Sequence, residues 1–229
     1  RFSEDLDFAI IDKSKTFDLR DYFENVKKEF ASYGIEISIS QKEVSPNKID
    51  MQRAFINSNS KILLIHFFPN SSEAKEVISN QVTKIKFEID MDNPIGGKVV
   101  SSYLLLPSPS KVTLYDQSTL FAGKIAAVLC REYKNKVKGR DYYDYLFYCS
   151  RRSKINMTYL ENKLKKNGKL PFEKKFDIET LKDMLKEKFS SVDYQKAKED
   201  VVPFINDAQK LSLWSKELFI STLDNLKAE

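Results

Sequence analysis

The sequence predicts an α+β protein in which a mixed sheet, with helices in front, precedes an all-helical second half. Three observations carry this. Strand-like and helix-like periods alternate up to Leu106, an unbroken series of helical periods runs from Ser118, and Pro107-Ser108-Pro109-Ser110 parts the two regimes. Asp5–Ile11 is the first strand, expected at the centre of the sheet. Side chains two apart on a strand share a face, so Asp5 and Asp7 project together while Leu6 and Phe8 turn to the core. Asp18 reads as an N-cap for a helix whose Tyr22, Phe23, Val26 and Phe30 recur at helical spacing, and Gly34 ends it. Ile35–Ile39 alternates as a half-buried strand. Lys61–Phe68, with its run Ile62-Leu63-Leu64-Ile65, reads as a second strand, and its lone His66 as a packed or edge histidine. Val82–Met91 follows, with Ile85, Phe87 and Ile89 on one face and Lys84, Lys86, Glu88 and Asp90 on the other. After the break at Pro94-Ile95-Gly96-Gly97 comes a last apolar stretch, Lys98–Leu106. Helices are expected at Ser118–Tyr133, Arg140–Ser150, Met157–Lys166, Ile178–Phe189, Tyr194–Phe204 and Leu211–Leu226. A sheet domain over 1–112 and a helical domain over 113–229 result.

Composition removes several classes. Hydrophobic residues at 41% and charged residues at 31% of 229 fit a globular chain rather than a disordered one. No apolar run approaches the roughly 20 residues of a membrane span, and no signal peptide is visible. Two cysteines, Cys130 and Cys149, sit inside apolar helical patterns, which suits a reduced, cytoplasmic protein rather than a disulfide scaffold. Charge is uneven. Arg131–Lys175 holds fourteen Lys and Arg against five Asp and Glu, a net of +9, leaving −4 elsewhere in a chain of total +5. Such a stretch is either a solvated helical surface or a field for polyanions.

The D-x-D pair carries the chemistry. Two carboxylates held so close repel unless something positive lies between them. Hard oxygens at this spacing suit Mg²⁺, which takes one or two carboxylates and completes its shell with phosphates. Ser3, just upstream, offers a hydroxyl to a phosphate. Glu88 is the candidate third carboxylate, a proton acceptor in a phosphoryl-transfer site, with Asp90 on the same face as its rival. Lys124 lies on a helix side with Leu120, Phe121, Val128 and Arg131, where a lysine either snorkels out or meets an anion. Gly139 breaks the preceding segment. Asp141 stands in the first turn of the next helix with Asp144 one turn on, and an ion pair with Arg140 plus a capping role explains Asp141 structurally.

In order, these segments resemble the AbiEii/AbiGii-type nucleotidyltransferases, toxins of type IV toxin–antitoxin and phage-defence systems. Arg1-Phe2-Ser3-Glu4-Asp5-Leu6-Asp7 is similar to that family's R-x-S-x-D-hydrophobic-D motif. Ala122-Gly123-Lys124-Ile125-Ala126-Ala127 is similar to its A-x-K-hydrophobic-x-A, and Gly139-Arg140-Asp141-Tyr142-Tyr143-Asp144 to its G-R-D-x-x-D. The resemblance implies a polymerase-β-like, mixed-sheet nucleotidyltransferase domain, with the helical domain completing an active-site cleft. It makes Asp5 and Asp7 ligands of Mg²⁺ (or Mn²⁺), Glu88 the third carboxylate, and Lys124 and Asp141 residues needed for activity. Ser3, Arg131, Arg140 and Asp144 are then the substrate-binding side chains. The implied partners are a nucleoside triphosphate, an RNA acceptor such as the 3′ end of tRNA, and a cognate antitoxin. The family's Gly-Gly-Thr/Ser element lies upstream of the D-x-D, so its helix is expected to be missing from the sheet domain. Two rival readings remain: a catalytically silent module that binds RNA or protein, and a metal-dependent nuclease using the same carboxylates.

Overall fold

The computed structural model describes residues 5–12, 16–41, 51–67, 80–92, 95–131 and 137–229, without the side chains of 64–67. They fall in two compact units, within 3–93 and within 94–229. Ser3 and the imidazole of His66 lie outside what is described. Among the described residues no helix is long and apolar enough to cross a membrane.

In the first unit, β1 (Asp5–Ala9), β2 (Ser38–Gln41), β3 (Met51–Asn59) and β4 (Val82–Asp90) form a mixed sheet of order β1-β4-β3-β2. β1 runs parallel to β4, and the other pairings are antiparallel. Alternation splits the sheet into two faces. Phe8, Phe87, Ile89, Ala54, Ile56 and Ile39 form the apolar one, and Leu19, Phe17 and Phe23 pack against it. Asp18 caps the short 3₁₀ turn Leu19–Tyr22 by accepting the Arg20 N–H (2.9 Å), and α1 (Phe23–Ser32) continues from it. Gly34, at φ 71°, takes the left-handed turn that ends the helix. Gln52 of β3 ties this segment down, accepting the Leu19 N–H (2.7 Å) and donating to the Phe17 carbonyl (2.9 Å). Between α1 and the sheet lies an apolar cavity of about 350 Å³.

Four expectations change here. β1 is at the edge of the sheet among the described residues rather than at its centre. Leu6 and Phe8 are accordingly half-exposed, with Phe8 stacked on Phe87 at 4.6 Å. The expected strand at Lys61–Phe68 is instead helix α2 (Ser60–Phe67), begun by Asn59 Oδ1 accepting the Lys61 and Ile62 N–H groups (3.0 and 3.1 Å). A four-residue apolar run fits either state, and the cap decides. The strand in this region is β3, whose buried Ala54, Ile56 and Ser58 alternate with Arg53, Phe55 and Asn57. Finally, Ile35 is buried but precedes the strand, which starts at Ser38.

The second unit opens with a hairpin, β5 (Val99–Leu104) and β6 (Ser110–Tyr115), and continues as α3 (Gln117–Cys130), α4 (Gly139–Ser150), α5 (Met157–Lys166), α6 (Ile178–Ser190), α7 (Tyr194–Val201) and α8 (Lys216–Ser221). The units thus divide at 93/94, not at 112, and this one carries a hairpin besides its helices. Polar ties explain why. Asn156 Nδ2 donates to Gly96 O (2.8 Å) and Thr119 Oγ1 (3.0 Å), Lys98 N–H donates to Thr119 Oγ1 (3.0 Å), and Lys98 Nζ meets Glu229 at 3.0 Å. The helix expected at Leu211–Leu226 breaks into α8 and flanking 3₁₀ turns around the Ser215 cap. Phe121, Tyr145, Phe189 and Phe219 are fully buried in the core. Both cysteines are free, and burial pushes the Cys149 thiol up to about 11.

Gly139 is a steric requirement: a Cβ there would lie 1.8 Å from the Ala197 carbonyl oxygen, where α4 crosses α7. Gly123 has no atom within 4 Å of such a Cβ. Gly139→Ala should therefore cost ~3 kcal/mol through overpacking, and Gly123→Ala should gain ~0.5–1 kcal/mol of helix propensity. Urea unfolding midpoints measure both, and equal midpoints would refute the close crossing. Asp116 caps α3, its Oδ1 accepting the Thr119 N–H at 2.8 Å. Burial alone would raise its carboxyl, but the hydrogen bonds from Thr119 and Ser118 outweigh it and hold the group below its ordinary value. A depressed carboxylate stabilises above its unfolded pKa and loses that contribution as pH falls through the folded one. The stability advantage over Asp116→Asn should be full above about pH 5 and should shrink on acidification through pH 4 and below. A gap independent of pH would contradict this.

Candidate active site

The sheet unit gathers the predicted carboxylates by register. β1 lies on β4 with Asp5 opposite Lys86 and Asp7 opposite Glu88, and β3 sets Arg53 opposite Glu88. All five side chains project from the polar face. Asp90 is opposite Ala9, one step beyond the pair, so Glu88 is the carboxylate level with Asp7. A positive charge stands between Asp5 and Glu88, that of Lys86. Its Nζ lies 2.7 Å from Asp5 Oδ2 and 3.1 Å from Glu88 Oε2. Arg53 Nε holds Glu88 Oε1. Burial alone would lower the Lys86 ammonium, but its hydrogen bonds to Asp5 and Glu88 outweigh that and hold it above its ordinary value. Asp7 is exposed and has no ion pair among the described residues. Asp5, Asp7 and Glu88 thus stand against Lys86 and Arg53, with Lys84 and Asp90 farther along the same face of β4.

Among the described residues, no three His, Cys, Asp or Glu side chains are gathered to hold a metal by themselves. Asp5 and Asp7 nonetheless supply hard oxygens from one strand face, which fits a Mg²⁺ or Mn²⁺ ion that draws its remaining ligands from phosphates.

The helical unit gathers a second set. Lys124 and Arg131 are seven residues apart along α3 and its C-cap, while Asp141 and Asp144 are three apart on α4. Both spacings keep the pairs on one helix side. Lys124 Nζ meets Asp144 Oδ2 at 2.7 Å, and Arg131 Nη1 donates to both Asp141 oxygens, at 2.7 and 3.0 Å. The rungs run in opposite chain order, so the two helices are antiparallel. Both aspartates are buried, their side chains 5–6% exposed. Lys124 therefore meets an anion rather than merely snorkelling. Arg140 does not pair with Asp141 as expected. Its guanidinium stacks over Phe204 at 4.6 Å, with Nε 3.9 Å from Asp200.

Sequence reasoning missed three cations: Lys86, Arg53 and Lys138. Lys86 was legible in principle, since it shares the strand period of Glu88. Arg53 needed the β3–β4 register. Lys138 directly precedes the G-R-D motif. Burial, and then the positive charges of Arg131, Arg140 and Lys124, lower its ammonium below the ordinary lysine range. A lysine in that setting favours an incoming anion.

The Lys124–Asp144 rung gives a stability test. Lys124→Met leaves a buried carboxylate without that cation and should cost about 2 kcal/mol, below the full buried-pair penalty because Lys124 is partly exposed. Adding Asp144→Asn should recover at least half. Urea unfolding of the single and double variants checks this, and strictly additive losses would show that the pair is not coupled.

No curated protein and no solved structure matches this chain. A family model does, that of the nucleotidyl transferase AbiEii toxin, type IV toxin–antitoxin system, over residues 1–221. With the D-x-D, K and G-R-D-x-x-D positions gathered into two charged sets inside that span, the chain belongs to the AbiEii nucleotidyl transferase toxin family.

Proposed function

We propose that this protein is a Mg²⁺-dependent toxin that transfers a nucleoside monophosphate from a triphosphate to a hydroxyl of RNA, with the 3′ end of tRNA as acceptor. The observation that carries the reading is the β1–β4 register, which sets Asp5, Asp7 and Glu88 on one polar face. In the transfer, the acceptor oxygen bonds to the α-phosphorus, the bond from that phosphorus to the bridging oxygen breaks, and pyrophosphate leaves. A bound Mg²⁺ would screen the phosphate oxygens and orient them for in-line attack. Asp5 and Asp7 are assigned to hold it. Glu88, fixed through one oxygen by Arg53, is assigned the proton of the attacking hydroxyl. Lys124, Arg131 and Lys138 are assigned to offset charge on the triphosphate and pyrophosphate, with Asp141 and Asp144 holding the first two in place. Catalysis of this kind rests on positioning and charge stabilisation. The basic stretch Arg131–Lys175 supplies a field for the RNA, and Ser3 and Arg140 are assigned to substrate. A cognate antitoxin is the expected protein partner. A silent binding module is the second reading, favoured by the ion pairs that already engage Asp5, Glu88 and Lys124.

Incubation with Mg²⁺, each α-labelled nucleoside triphosphate and total RNA separates the readings. Label should appear in RNA, vanish with a chelator, and fall at least ~10³-fold in Asp5→Asn and Asp7→Asn. RNA cleavage without label would establish the nuclease instead. RNA binding with neither outcome would establish the silent module.

A further inference from the structure

The face that holds Asp5 already contains a cation, and its position bears on how a metal could enter. Lys86 sits on the neighbouring strand in register with Asp5, and its ammonium bridges Asp5 (2.7 Å) and Glu88 (3.1 Å). Glu88 is anchored from its other side by Arg53, so it is fixed from β3. Lys86, on a flexible four-carbon stem, is the member of the group able to leave. A divalent ion on Asp5 and Asp7 would have to share the Asp5 carboxylate with this ammonium, and like charges that close disfavour each other. With Lys86 in place, its ammonium already offsets charge on the carboxylate that a doubly charged ion would need.

We propose that Lys86 is a resident counter-cation of the metal site. It occupies Asp5 in the metal-free protein and must withdraw before a divalent ion binds. Metal and nucleotide therefore bind together rather than the metal first. A polyphosphate brings several negative charges, gives the displaced ammonium a new anion, and places oxygens between it and the metal. The coupling is reciprocal, so whatever removes Lys86 from Asp5 strengthens binding of the metal alone and weakens its dependence on phosphate. Lys86 is thus a positioning residue that sets the order of assembly. This inference rests on the assignment of Asp5 and Asp7 as metal ligands.

The test uses Mn²⁺ as probe, with free ion counted by electron paramagnetic resonance, and needs no turnover. Lys86→Gln should bind Mn²⁺ about tenfold tighter than the unaltered protein, ~1.4 kcal/mol, while Lys86→Arg, which keeps the charge, stays near it. Calorimetry with the preformed Mn²⁺–tripolyphosphate complex should show the gap closing to about twofold or less. Asp5→Asn should abolish binding in the unaltered and Lys86→Gln backgrounds alike. Lys86→Met repeats the test should the glutamine variant misfold. Mn²⁺ binding no tighter in Lys86→Gln and Lys86→Met than in the unaltered protein would overturn the role of Lys86 while leaving the metal assignment intact. Tight binding that survives Asp5→Asn, or no Mn²⁺ binding in any variant, would overturn the metal assignment and this inference with it.

Discussion

The parallel register of β1 on β4 is the constraint from which the first unit follows. One pairing, Asp5 with Lys86, fixes every other position along both strands, because the side-chain period is two. It sends Leu6, Phe8, Phe87 and Ile89 to the face that α1 covers, and Asp5, Asp7, Lys86 and Glu88 to the opposite one. A slip of β1 by one residue would turn Asp5 and Asp7 under α1 and move Leu6 and Phe8 to the polar face, while β3 holds β4 in place. The apolar face thus enforces the geometry of the polar face, and the charged set needs no strong interactions of its own to stay aligned. Its ion pairs are partly exposed and contribute little stability individually. What they supply is neutralisation of acids that the core has forced together.

In the helical unit a backbone contact has the equivalent role. Gly139 lets α4 approach the Ala197 carbonyl, which fixes α4 against α7. The first two turns of α4 then carry Asp141 and Asp144 toward α3, whose Lys124 and its C-cap Arg131 supply a cation to each. Burying a carboxylate is costly unless it is paired and hydrogen-bonded. The glycine and the two aspartates, within six residues of one another, are therefore parts of one arrangement. Arg140 between them turns away to Asp200 and Phe204, as expected on a helix, where consecutive side chains diverge by about 100°.

Much of this is legible in the sequence because period and spacing encode it. Met157–Lys166 is readable at both ends, and Gly139–Ser150 and Ile178–Ser190 within a residue, since caps and apolar stripes agree there. The shared face of Asp5 and Asp7 follows from strand geometry alone. What is illegible depends on partners distant in the chain. β3 reads as polar because Gln52 and Arg53 serve the Leu19 segment and Glu88, contacts made across more than thirty residues. The Ile62–Ile65 run reads equally as strand or helix until the Asn59 cap is known. The edge position of β1 cannot be found by any local pattern, since it depends on which strands pair.

Both charged sets share a logic that composition hides. Lys86 and Arg53 answer Asp5 and Glu88 in the sheet unit, and Lys124 and Arg131 answer Asp144 and Asp141 in the helical unit, so these charged groups are engaged internally before any ligand arrives. On the proposed function, binding a charged ligand would be an exchange of ion pairs rather than the filling of a bare field. The net gain is then a small difference between large terms, because each new contact replaces an existing one. In the sheet unit compensation is least complete at Asp7, which is exposed and has no ion pair among the described residues.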